Sequence, residues 1–323
     1  MGKFVIFYRL RAAFRLMKTL LRIDMDWRKR GVQALQLPTN MQLNAAEKKR
    51  IRYYFLLAGF AQAVYCHMRG QKPTPKEQLL WQNFAALTAF FDDLADSFAQ
   101  KNDTKNLKEI ENFGKIADQR GIANFLYDKV KTNIKPQKLS EFEQLAQQIF
   151  ELEAAGNQLN TNLSLQKITQ LTQQKGGWST LIFRQLLQHD WKENEREAIF
   201  EFGYLVQLCD DITDVWSDVN ENITTLPVVL LRQNKVSDLK ILFENQVIKT
   251  ENCFLLLDYK PQNLKTAFQM TIFLVNIARL AMLNYEKLIQ KYGAIPFQSR
   301  KEMVLDMEKF GNRIKFIQLF FTA

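Results

Sequence analysis

Two short runs of aspartates are the residues in this sequence best suited to chemistry. The first, Asp92-Asp93-Leu94-Ala95-Asp96, is flanked by Ala89-Phe90-Phe91 and Ser97-Phe98. The second is Asp210-Asp211-Ile212-Thr213-Asp214-Val215-Trp216-Ser217-Asp218. A spacing of four puts Asp92 and Asp96 on one helix face, and Asp210, Asp214 and Asp218 in a row up another. Like charges so placed destabilise a bare helix by a few tenths of a kcal/mol per pair, and apolar flanks raise the cost of leaving them unneutralised. A cation between the carboxylates relieves both. Hard oxygen ligands suit Mg²⁺, which prefers one or two carboxylates, retained waters and substrate phosphate oxygens to an all-protein cage. The chemistry to expect is stabilisation of the negative charge on a departing diphosphate. Either run alone could be a solvated acidic face. Two of them, 118 positions apart and each inside an apolar helix, favour metal. Neither has the alternate-position ligands and central glycine of an EF-hand loop.

The rest of the composition narrows the field. His67 and His189 are the only histidines, which argues against a histidine triad or a histidine-rich metal site. Cys66, Cys209 and Cys253 are odd in number, far apart and without CxxC spacing, as befits reduced thiols in a cytoplasmic protein. The formal charge of +10 fits nucleic acid, an anionic membrane or phosphorylated substrates. Without zinc-finger spacing or an RNP-like motif, nucleic acid is not expected. The N-terminus has no signal-peptide pattern, and no uncharged apolar run reaches ~18 residues, so no spanning helix is expected.

The elements that must position the aspartates are helical. Only 12 glycines and 7 prolines in 323 residues point to long helices with few tight turns. The pattern predicts helices at about 3–22, 45–69, 76–100, 107–133, 139–160, 163–190, 194–218, 226–248, 261–292 and 298–320, with a polar loop at 101–108. Gly176 and Gly177 are expected to interrupt the helix at 163–190. No alternating strand pattern and no repeat appear. The organisation expected is a basic amphipathic extension over residues 1–40 followed by one helical domain over 41–323.

On these residues the sequence resembles the class I isoprenoid synthase superfamily. The first run looks like its DDxxD motif. The second resembles the second aspartate-rich motif of trans-prenyltransferases, and has the spacing of the NSE triad of terpene cyclases with Asp at all three positions. Gln207 precedes Asp210 by three residues, as in the family's FQxxDD, and Thr225-Leu226-Pro227 follows. The resemblance implies an all-α, single-domain helical bundle around a central apolar cavity. It implies three Mg²⁺ held by Asp92, Asp96, Asp210, Asp214 and Asp218, with Asp93 beside them and Asp211 behind or loosely involved. Chain-elongating members usually carry GGKxxRP near the N-terminus and an arginine pair after the first motif. Here Arg69-Gly70-Gln71-Lys72-Pro73 and Ser97-Phe98-Ala99-Gln100 stand instead. The reaction implied is therefore that of a divergent terpene synthase: loss of diphosphate from an allylic prenyl diphosphate, then cyclisation or deprotonation. The alternatives are a prenyltransferase, chain-elongating or head-to-head, and a non-catalytic helical lipid-binding protein.

Other residues carry two readings each. Lys175, beside Gly176-Gly177, could approach a diphosphate at a helix kink, or sit in an inter-helix turn. Arg184 could reach phosphate or be a surface cation. Gln207 is a candidate substrate ligand by its motif, and Arg313 with Lys315 could close over the diphosphate. Phe84, Phe90, Phe91 and Trp178 either shape a cavity or belong to the core, as do Tyr65, Cys66 and His67. At the N-terminus, Arg11, Arg15, Lys18 and Arg22 interleave with Phe7, Leu10, Phe14, Met17 and Leu21, giving a basic face and an apolar face. That helix over 3–22 either lies on an anionic membrane or packs on the protein with its basic face in water. A homodimer is left open.

Overall fold

The computed structural model describes residues 3–101, 121–158 and 163–305, with positions 314, 316, 318 and 319; side chains at 3–8, 30–32, 92–101 and 153–158 lie outside that description. Every regular element among the described residues is helical, and the fold is all-α. In chain order the helices are α1 (Lys3–Arg30), a 3-10 turn (Gly31–Leu35), α2 (Ala45–Arg69), α3 (Pro75–Lys101), α4 (Ile122–Asn133), α5 (Pro136–Gln158), α6 (Leu165–Gln185), α7 (Glu195–Thr213), α8 (Val215–Asn220), α9 (Leu226–Arg232), α10 (Val236–Leu255), α11 (Pro261–Tyr292) and α12 (Arg300–Met303).

Capping residues fix the ends of the long helices. Asn44 and Glu47 form a reciprocal capping box at the start of α2, and Gly70, at φ 70°, closes it in the left-handed conformation. Thr74 and Glu77 do the same for α3: the Thr74 amide donates to Glu77 Oε2 at 2.8 Å and the Glu77 amide to Thr74 Oγ1 at 3.2 Å. Arg69 locks that start to the end of α2, its guanidinium reaching Glu77 at 2.9 and 3.0 Å and His189 Nδ1 at 2.8 Å. This start sets the register of α3, and hence of positions 92 and 96.

The chain forms two compact units. One comprises residues 14–158 and 178–191. Its core runs along α3, where Phe84 meets Phe142 at 5.6 Å and Phe183 at 4.8 Å, and Trp81 meets Phe183 at 5.0 Å. Phe84 and Phe90 are buried, Tyr65 donates to the Thr180 carbonyl at 3.1 Å, and Cys66 is buried beside it. These settle as core positions. The other unit comprises residues 1–13, 159–177 and 192–323. There α7, α10 and α11 pack on one another through Phe202, Phe254 and Phe268. Tyr285 of α11 ties itself to α7 by donating to the Ile212 carbonyl at 2.7 Å.

Several expectations need correction. α6 runs unbroken through Gly176 and Gly177. The helix expected over 194–218 breaks at Asp214, which ends α7 and begins α8 with φ −100° and ψ 8°. The helix expected over 226–248 is two helices, parted where Asn234 takes a left-handed φ of 56° that asparagine tolerates. α1 extends two turns beyond position 22, to Arg30. Its helical period was legible, yet the stripe of Leu10, Phe14, Met17 and Leu21 faces solvent, while Leu16, Ile23 and Trp27 pack inward, Trp27 on Phe55 at 4.9 Å. By length and hydropathy alone α11 could cross a membrane, but 67% of that window is buried, as in a core helix. All three cysteines are free and buried.

Candidate functional site

The second aspartate row is built by α7, α8 and the loop that follows. The backbone keeps its four-residue step through the break: the Asp214 amide donates to the Asp210 carbonyl at 3.0 Å, and the Asp218 amide to the Asp214 carbonyl at 2.9 Å. Asp210, Asp214 and Asp218 therefore remain one turn apart. Their surroundings differ. Asp211 and Asp218 are buried, Asp210 is half-buried and Asp214 is exposed.

Neutral donors hold the buried carboxylates. Gln207 Nε2 donates to Asp211 Oδ1 at 2.7 Å, and Thr172 Oγ1 lies 3.5 Å from Asp211 Oδ2. Thr225 Oγ1 donates to Asp218 Oδ2 at 2.9 Å. Burial pushes the Asp218 carboxyl up to about 8, and Asp211, Asp214 and Asp210 push the same way while the Thr225 hydroxyl pulls down. Three neighbouring carboxylates crowd this buried one, so a cation placed among them would be strongly favoured. That donor set fits a hard divalent cation. Among the described residues no three His, Cys, Asp or Glu side chains converge tightly enough to hold an ion by themselves. An ion here would draw its remaining ligands from elsewhere, as magnesium does from water and phosphate.

The glycine pair explains how α6 comes so close. A Cβ on Gly176 would run into the Gly203 carbonyl oxygen and lie 2.7 Å from Gln207 Cβ; one on Gly177 would strike the Phe200 ring. The glycines let the α6 backbone lie directly on α7, which is a packing role and not a kink. It brings Thr172, one turn before Gly176, to Asp211. Gly176→Ala is therefore expected to destabilise the protein by about 1–3 kcal/mol in urea denaturation, as overpacking does. An open helical position would instead gain about 1 kcal/mol from the same change, and such a gain would refute the contact.

The remaining candidates divide. Gln207, expected as a substrate ligand, positions Asp211. Lys175 is half-buried on α6, beside that contact. Arg184 is neither a surface cation nor turned to solvent. It is fully buried and donates to the carbonyls of His189 at 3.3 Å and Asp190 at 2.9 Å, with its guanidinium 4.4 Å over the Trp191 ring. Those donors are spent on the loop after α6. Asp92, Asp93 and Asp96 lie in α3, with side chains outside the described residues; Arg313 and Lys315 lie outside them altogether. The sequence reading missed Thr172, whose signal was its place one turn before a helical glycine.

The unit that contains α3 has a small cleft of about 20 Å³, lined by Ile23, Phe55, Gln62, Gln78, Trp81 and Ala85 among others. Gln62 Nε2 and Trp81 Nε1, both on its lining, are buried without a hydrogen-bond partner among the described residues.

No protein-family model matches the sequence, and comparison with curated proteins finds no match. Among solved structures, the chain is similar to a geranylgeranyl pyrophosphate synthetase from the archaeon Geoglobus acetivorans, with 13% identity and a TM-score of 0.47 over 82% of this chain and 98% of that one. It is also similar to a dehydrosqualene synthase solved in complex with ligand, with 12% identity and a TM-score of 0.39 over 96% of each chain. Both are isoprenoid synthase-type folds, the type that the aspartate motifs resemble. Likenesses this loose carry no argument about the reaction, which rests on the residues.

Proposed function

We propose that this chain is a magnesium-dependent class I terpene synthase that ionises an allylic prenyl diphosphate. The observation that carries the reading is the Asp210–Asp218 row: regularly stepped carboxylates, partly buried, crowding one another and oriented by Gln207 and Thr225. Asp210, Asp214 and Asp218 would hold magnesium, with Asp211 fixed behind them; the resemblance adds Asp92 and Asp96, with Asp93. The ions would stabilise the charge that grows on the leaving diphosphate. The residues of this chain do the positioning. Gln207 and Thr225 aim the carboxylates, and the tight contact between α6 and α7 fixes Gln207.

Incubation with farnesyl, geranylgeranyl and longer prenyl diphosphates, with and without isopentenyl diphosphate, tests the reading. The expected result is a hydrocarbon or alcohol product from the allylic substrate alone, abolished by EDTA and restored by Mg²⁺. A product that forms only when isopentenyl diphosphate is present would make the enzyme a chain-elongating transferase. Release from no prenyl diphosphate would favour a lipid-binding protein.

A further inference from the structure

Helix α1 presents apolar side chains on two opposite sides. Leu16, Ile23 and Trp27 are 1, 8 and 8% exposed and belong to the core. On the outer side Phe14, Met17, Leu21 and Met25 stand 71, 53, 57 and 53% exposed, at steps of three, four and four. Single exposed apolar residues need no explanation, but a continuous row of four large ones marks a surface that something covers. Cations border it. Lys18 and Arg22 follow Phe14 at four and eight residues, Lys29 continues the row, and all three are exposed. Of the two nearby carboxylates, Asp24 takes Arg28 at 2.8 Å and Arg52 at 2.6 Å, and Asp26 is half-buried.

We propose that residues 14–29 of α1 lay this stripe on an anionic lipid membrane. Phe14, Met17, Leu21 and Met25 enter the boundary between headgroups and acyl chains, while Lys18, Arg22 and Lys29 meet lipid phosphates. The charge pattern selects this occupant over a second copy of the chain. Pairing two such faces would bring two cationic rows together in a protein whose formal charge is already +10. The surface is independent of the diphosphate chemistry, so its test stands whether or not the chain is an enzyme.

The test is co-sedimentation of the full chain with vesicles of phosphatidylcholine alone or mixed with phosphatidylglycerol. The expected result is binding to the mixed vesicles, weakened by salt as surface electrostatics are, and little binding to phosphatidylcholine. The double variants Phe14→Ser with Leu21→Ser and Lys18→Glu with Arg22→Glu should each lower the affinity by about tenfold or more. All four positions face away from the core, and thermal melts alongside verify folding. Equal binding to both vesicle types, no binding to either, or binding unchanged in both double variants would overturn the proposal. So would a dimer in sedimentation equilibrium that the Phe14/Leu21 variant splits.

Discussion

Asp218→Asn is expected to lower kcat/KM for diphosphate release by on the order of 10³-fold, about 4 kcal/mol of transition-state stabilisation, and to leave the unliganded protein as stable as the parent or more so. Both halves follow from one geometry. Asp218 is buried, crowded by Asp211, Asp214 and Asp210, and pushed up to about 8. Without a cation its charge is a burden on the fold, which the amide relieves while its oxygen can still accept from Thr225. With substrate and magnesium the same charge is a ligand that the amide replaces poorly. A site that sacrifices stability for function shows this opposition; a merely structural carboxylate loses stability when it is changed. Steady-state kinetics and a thermal melt of the same preparation decide. A variant that melts well below the parent, or one that keeps its rate, contradicts the role given to Asp218.

Arg69→Ala is expected to cost about 3–5 kcal/mol of stability, because it strands a buried carboxylate. The Arg69 and Glu77 side chains are 5% and 2% exposed. Both Glu77 oxygens are engaged, Oε1 by Arg69 and the Gln188 amide at 2.9 and 2.8 Å, Oε2 by Arg69 and the Thr74 amide at 3.0 and 2.8 Å. Burial pushes the Glu77 carboxyl up, but Arg69 and the two amides outweigh it and hold the group at about 2. A folded-state value below the unfolded one contributes stability that is fully present above about pH 4.3 and drains as the pH falls toward 2, worth roughly 3 kcal/mol in all. Acid should therefore weaken the parent across that window. The variant, whose Glu77 titrates higher, should lose less, so the gap between the two narrows. Adding Glu77→Gln should recover part of the loss, since the charge is no longer stranded. Urea denaturation between pH 7 and pH 2.5 reads all three. A constant gap across that range would mean that the pair is not coupled.

What the sequence made legible follows its punctuation. The bounds of α2 and α11 could be read because Gly70, Pro261 and Gly293 mark them and a 3.6-residue period fills them. The second aspartate row could be read because charge at a step of four inside an apolar helix is a local pattern. Its break at Asp214 could not, since no glycine or proline stands there and the four-residue step survives it. The Gly176-Gly177 pair was misread because sequence alone does not tell a kink from a close approach of two backbones; only the position of Gly203 does. Arg184 was misread for a related reason: its acceptors are carbonyls of a loop whose course the sequence does not announce. In α1 two apolar stripes share one helix, and periodicity says that both exist without saying which one meets the core.

The proposed reaction requires both aspartate rows to serve one diphosphate. Pyrophosphate release from a prenyl diphosphate in Mg²⁺, measured for the parent, Asp92→Asn, Asp218→Asn and the double variant, tests it most directly. Residues that act as a unit are strongly non-additive. Each single change should cut the rate by on the order of 10³-fold, and the double variant should fall little further. Losses that multiply, or a single variant that releases pyrophosphate as fast as the parent, would contradict the account.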